Sequence, residues 1–127
     1  MQLNLEHPDQ EFVLRGADGA LAVVNDRRLA SSFIIAPDRL IEDWPVTDSR
    51  TLTAVDLEPL LAQDPEVVLL GTGATQVFPA AAVMAACMVR GIGLEAMGNA
   101  AAARTFNVLA GEGRRVVAGF IMLASAL

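Results

Sequence analysis

The spacing of apolar and polar positions divides this chain into two dissimilar parts. Residues 11–16 and 20–25 are short runs rich in Leu, Val and Ala. They flank Asp18-Gly19, a dipeptide that favours a hairpin turn. Asn25-Asp26 marks a second turn. In residues 27–36, Leu29, Ser31, Phe33 and Ile35 alternate with Ala30, Ser32 and Ile34 until Pro37 closes the run. The first third therefore reads as a β-meander. Residues 38–53 follow no clear period. Leu40, Ile41, Trp44 and Val46 suit a short extended piece, but Pro45 has no N–H for a ladder and excludes a central strand there. Trp44 is read as a core or lid anchor ahead of a ligand-stacking ring.

The second part changes period. Asp56 is placed to cap a helix over residues 57–63 that stops before Pro65. Val67-Val68-Leu69-Leu70 is a continuous apolar run, the pattern of a strand buried on both faces. Pro79 suits the first position of a helix over residues 80–90, and Gly91 suits its C′ residue. That helix is apolar nearly all round, so it is expected to be buried on more than one side. A strand follows at residues 92–97, then Asn99 as a cap for a helix over 100–110, with Ala102, Phe106 and Leu109 as its inward stripe. Residues 111–113 are a turn, and residues 115–123 a last apolar strand. This strand–helix–strand–helix–strand order predicts two parallel crossovers. The fold class expected is α/β: one three-layer domain over residues 1–127, an N-terminal β-meander plus a β-α-β-α-β unit with a central mixed sheet.

Composition narrows the function. The chain has 127 residues, 54% of them apolar, with a net charge of −6 and no tyrosine. An acidic chain poor in aromatics is ill suited to bind nucleic acid, which needs a positive surface and stacking rings. One cysteine, Cys87, excludes an internal disulfide, and one histidine, His7, leaves no Cys/His set for zinc. All nine basic residues are arginine, so no lysine is available for Schiff-base chemistry. The first fifteen residues carry Glu6, Asp9 and Glu11 and no apolar core of a signal peptide, so the cytoplasm is the default location. Residues 67–89 lack charge, yet Gly71-Thr72-Gly73-Ala74-Thr75-Gln76 and Pro79 interrupt them, and a buried strand, polar turn and buried helix fit better than a membrane span.

Candidate chemistry is sparse. Gly71-Thr72-Gly73 follows a strand and precedes a helix, the setting of a dinucleotide-binding turn with Glu95 downstream. Gln76 stands where a third glycine belongs, and no Gly-Lys-Ser/Thr follows, so an anion-binding turn and a purely structural turn both stay open. Glu95, Arg104, Asn107 and Arg114 are polar residues in the most apolar half. Arg104 and Asn107 are neighbours on one helix face. A buried Glu95 would need Arg104 or Arg114 as a partner. Serines 31, 32, 49 and 125 have only His7 as a base, so no triad forms. Cys87 among Ala86 and Met88 reads as a buried thiol. The pairs Glu42-Asp43 and Asp9/Glu11 read as solvated charges.

The segments Leu69-Leu70-Gly71-Thr72-Gly73, Gln76-Val77-Phe78-Pro79 and Gly91-Ile92-Gly93-Leu94-Glu95-Ala96-Met97 carry a resemblance. So do Ala102-Ala103-Arg104-Thr105-Phe106-Asn107-Val108-Leu109 and Glu112-Gly113-Arg114-Arg115-Val116, with weaker matches at Ser32-Phe33 and Trp44-Pro45. In order and spacing these resemble an uncharacterised domain family over residues 32–123. That family is shared by small bacterial and archaeal proteins, mitochondrial complex I assembly factor 3 and the adipogenesis-associated Mth-like domain protein. The chain departs from it at Gly98-Asn99, where the family usually has threonine. The resemblance implies a three-layer α/β fold and no established enzymatic activity; the mitochondrial relatives imply a protein-contact role.

The function expected is thus a non-catalytic interaction or assembly-factor-like module, with a protein partner and without cofactor, metal, nucleic acid or membrane span. The alternative is a small-molecule or anion binder using Gly71, Thr72, Gly73, Glu95, Arg104, Asn107 and Arg114, a cryptic enzyme included.

Overall fold

The computed structural model describes residues 10–123; His7, Asp9 and Ser125 lie outside the described residues. In chain order the elements are β1 (Leu14–Ala17), β2 (Ala22–Val24), β3 (Arg27–Leu29), β4 (Phe33–Ala36), β5 (Arg39–Ile41), α1 (Glu58–Leu61), β6 (Val67–Gly71), α2 (Ala81–Met88), β7 (Gly93–Met97), α3 (Asn99–Gly111) and β8 (Val116–Phe120). β1, β2 and β3 form a small antiparallel sheet. The large sheet runs β5-β4-β8-β6-β7. β6 pairs in parallel with both β7 and β8, while β4 pairs antiparallel with β8 and β5, so the sheet is mixed as the alternating pattern predicts.

Strand alternation sorts the core into two layers. Phe33, Ile35, Val67, Leu69, Val116, Ala118 and Phe120 point to one face, where α3 and the small sheet cover them through Ala102, Phe106, Leu14 and Val24. Phe33 and Phe120 stack there with ring centroids 5.0 Å apart. Ile34, Ala36, Val68, Leu70 and Val117 point to the other face, under Trp44, Leu57, Leu60, Val83 and Cys87. Every residue of β6 and β8 is buried, because both strands are central and covered on both sides.

The structure corrects several sequence expectations. The run over residues 27–36 is two strands in different sheets. Its break is held by Ser32, whose hydroxyl donates to the Val46 carbonyl and accepts from the Met122 amide at 2.8 Å. Leu40 and Ile41 form an edge strand that ends before Pro45. The Asp56 carboxylate accepts from the Thr53 amide at 2.8 Å instead of capping α1. α2 begins at Ala81, beyond Pro79, with an extended Ala80 as its cap. Asn99 is the first residue of α3, preceded by Gly98 as the cap, and its side chain turns inward. Most consequential, α2 buries only Val83 and Cys87. Its uniform apolarity does not reflect burial on several sides.

Trp44 is a core anchor. Its indole N–H donates to the Asp56 carbonyl at 3.1 Å, and its ring lies over Gly119 of β8. A Cβ at Gly119 would stand 2.7 Å from two ring carbons of Trp44. Arg115 closes the far side: Nη1 bonds Asp38 at 2.7 Å, and Nε donates to the Gln63 carbonyl at 3.2 Å. The hydrogen bond from Arg115 is the main reason the Asp38 carboxyl is held below its ordinary value.

Two outcomes follow. Gly119→Ala overpacks a rigid ring against a central strand and lowers stability by about 1–3 kcal/mol, read by urea denaturation followed through Trp44 fluorescence. Asp38 has a lowered folded value, so its contribution is present above its ordinary value of 3.8 and is lost as pH falls through the lower folded value. Acidification from about pH 5 to about pH 2 therefore lowers the urea midpoint of the natural protein more than that of Asp38→Asn.

Candidate functional site

The first crossover leaves β6 for β7, and the second runs from β7 back past β6 to β8, in the opposite direction. α2 leads from β6 to β7 on one side, and α3 returns to β8 on the other. Ligands of open α/β sheets lie outside the carboxyl ends of strands where the order reverses in this way. An open crevice of about 440 Å³ sits there. Thr72, Gly73 and Thr75 line it beyond β6, Ile121 beyond β8, and Asp48, Ser49 and Arg50 come from the segment between β5 and α1.

The turn beyond β6 is occupied with holding itself. The Thr72 amide donates to the Met97 carbonyl at 2.9 Å, and the Gly73 amide donates to Asn99 Oδ1 at 3.1 Å. The Thr72 hydroxyl bonds the Thr75 carbonyl at 2.6 Å and accepts from the Val77 amide at 3.1 Å. Two of the amides that would face a phosphate therefore already have partners inside the protein. Gly71 has no room for a side chain, since a Cβ there would collide with Asn99 Oδ1 and stand 2.9 Å from the Phe120 ring.

Of the residues singled out in the sequence, the structure brings Thr72 and Gly73 to the crevice, with Gly71 buried at the end of β6 behind them. Glu95, Arg104, Asn107 and Arg114 do not line it. Glu95 is exposed on the edge strand β7 and needs no buried counter-ion. Arg104 is exposed on α3. Asn107 ties α3 to β1, accepting from the Leu14 amide at 3.0 Å and donating to the Leu14 carbonyl at 2.6 Å. Arg114 pairs with Glu66 at 3.4 Å. The sequence singled out neither Asp48 nor Arg50, and Ser49 only as a serine without a base beside it. Asp48-Ser49 is a turn-starting pair, and Asp48 indeed accepts from the Arg50 amide at 2.9 Å. Nothing in the spacing shows that this turn lies against the ends of β6 and β8.

A second feature flanks the crevice. Phe78 is 76% exposed, Met88 72% and Val89 83%. Ala81, Met84, Ala85 and Met88 share one helical face by their spacing, and all four are exposed. α2 and its two ends thus present a convex apolar ridge. Cys87 lies on the inner side of the helix, where burial pushes its thiol up and away from the reactive thiolate. Beside the ridge, the free edge of β7 is partly covered: Gln76 Nε2 donates to the Ala96 carbonyl at 2.9 Å. Among the described residues no cluster of His, Cys, Asp and Glu could hold a metal ion, and no helix is long and apolar enough to cross a membrane.

This architecture recurs in known proteins. The sequence matches the family described as "Protein of unknown function (DUF498/DUF598)" over residues 15–121. The NMR structure of a Xanthomonas campestris protein is 53% identical, with a TM-score of 0.83 over 100% of this chain and 98% of that one. The solution structure of a Bordetella pertussis protein, described as an Mth938-like domain, is 30% identical, with a TM-score of 0.78 over 100% of this chain and 96% of that one. A Francisella tularensis subsp. holarctica protein named "13 kDa major membrane protein" is 30% identical over 71 residues, 56% of this chain. That match spans 58% of the length of this curated relative. By sequence and by fold, this chain belongs to the DUF498/DUF598 family of proteins of unknown function and has the Mth938-like architecture.

Proposed function

We propose that the protein is a non-catalytic docking module that seats the convex ridge of α2 in an apolar groove of a different protein, in the manner of an assembly factor. The observation that carries this reading is the exposure of Phe78, Met88 and Val89 around a helix without charge in its eight residues. Scattered exposed apolar side chains are ordinary, but a concentrated apolar surface marks contact with another molecule. A helix face read at spacings of three and four is a recurrent mode of groove recognition. Arg90 and Glu58, paired at 3.5 Å beside the end of α2, supply a polar rim.

A second copy is a poor occupant. α2 is only about 12 Å long at ~1.5 Å per residue. Two such ridges laid together fall well short of the roughly 800 Å² per partner of a stable interface. A concave partner covers more of each exposed side chain, and a modest interface suits a transient contact. The alternative of an anion held by the Gly71-Thr72-Gly73 turn has less support, because the Thr72 and Gly73 amides are engaged within the protein.

The test is site-specific photocrosslinking in the organism of origin, with the probe at Met88 and, as a control, at the isolated exposed Val108 of α3. Met88 is expected to yield one discrete protein adduct that Val108 does not. With that partner purified, Phe78→Ser with Val89→Asp lowers affinity at least about thirtyfold, as for the loss of buried interface anchors. Equal adducts at both positions, no adduct, or a self-adduct with concentration-dependent mass would overturn the reading.

A further inference from the structure

The crevice at the carboxyl ends of β6 and β8 has features that the docking reading leaves unused. Ser49 is only 7% exposed and lines it. Among the described residues its hydroxyl makes no hydrogen bond, yet the one buried side-chain atom without a partner is Gln63 Oε1. The Ser49 hydroxyl is therefore without a partner among the described residues and open to the crevice, where water or a bound polar group can meet it. On either side of Ser49 stand the two charged residues of the lining, Asp48 and Arg50. Arg50 Nε is 3.4 Å from Asp48 Oδ1, which also accepts the Arg50 amide. Asp48 Oδ2 and the terminal nitrogens of Arg50 make no hydrogen bond among the described residues.

The geometry points to a binding site for a short zwitterion, a free α-amino acid, with its carboxylate on Arg50, its ammonium on Asp48 and a polar atom on Ser49. A simple anion would meet Asp48 beside its only cation, on a protein of net charge −6. A simple cation would meet Arg50. A molecule whose opposite charges lie as close together as those of Asp48 and Arg50 satisfies both. An amino acid has this property, whereas the two ends of a peptide do not. Guanidinium and carboxylate are the groups that make the strongest directional bonds to such ends. Val77 and Ile121 offer apolar surface to a side chain, and about 440 Å³ lies within the range of small-molecule sites.

The experiment titrates the full-length protein with the free L-amino acids, with acetate, inorganic phosphate and ethylamine as comparators, by calorimetry and by amide NMR shifts. At least one amino acid is expected to bind, with shifts centred on residues 47–50 and 72–75. Arg50→Ala and Asp48→Asn each weaken it roughly ten- to a hundredfold, the range for lost hydrogen bonds to charged groups. Ser49→Ala weakens it without altering either charge. Both charged side chains are substantially exposed, and Asn keeps an oxygen for the Arg50 amide, so the variants remain folded, which their NMR spectra verify. No binding by any amino acid, equal binding of acetate or phosphate, shifts centred elsewhere, or full affinity in Arg50→Ala would overturn the assignment. None of these results bears on the crosslink at Met88, so the two readings stand or fall separately.

Discussion

The carboxamide of Asn99 sits where three parts of the chain converge, and the architecture of this end of the molecule depends on it. Its Oδ1 accepts the Gly73 amide at the end of β6. Its Nδ2 donates to the Ile121 carbonyl beyond β8 at 3.1 Å and to the Asp18 carbonyl in the β1–β2 turn at 2.9 Å. Asn99 is 1% exposed and its bonds to Gly73 and Ile121 are buried, so these two groups have no access to bulk water as an alternative, whereas the bond to Asp18 is partly buried. A buried backbone group left without its partner costs about 1–3 kcal/mol, and two would lose theirs together. The same convergence forbids a side chain at Gly71, because Asn99 Oδ1 and the Phe120 ring already fill the space. The hairpin, the parallel core and α3 are thereby joined beside the crevice.

The two faces of the large sheet are covered unequally. On one, α3 presents Ala102, Ala103, Phe106 and Ala110 inward, and Asn107 binds β1 over it. On the other, Trp44 packs on Gly119, while α2 lies toward the β7 edge with only Val83 and Cys87 turned in. Nothing in the described chain lies over the outer side of α2. That asymmetry separates a sealed face from one with apolar surface left over, and the docking reading rests on this difference.

The loop between β6 and α2 serves both proposed surfaces. Thr75 is at the crevice wall, and Phe78, three residues on, begins the ridge. The loop is tied down at its first half by the Thr72 hydroxyl and at Gln76 by its bond to the Ala96 carbonyl. Crevice and ridge are thus adjacent in sequence and set on a shared, hydrogen-bonded support.

Local chemistry was enough to place the parallel core. Unbroken Val/Leu runs at residues 67–70 and 116–117, glycine at residue 91 and the Ala102, Phe106, Leu109 stripe of α3 depend on periodicity and turn preference, which a short window of sequence contains. The resemblance read from residues 32–123 likewise identified the family, since it needs only order and spacing. Other features were decided by contacts distant in sequence. Ser32 divides one apparent strand between two sheets through Val46 and Met122. Asn99 looks like a helix cap locally, but Gly73, Ile121 and Asp18 turn its side chain inward. The apolar α2 looks buried from composition, yet burial is a property of what packs against a helix, and the sheet meets it on one side only. Asp48, Ser49 and Arg50 fall in a stretch with no clear period, and only the fold lays them across from Thr72 and Ile121, because proximity between segments some twenty to seventy residues apart is a matter of packing that no local pattern encodes.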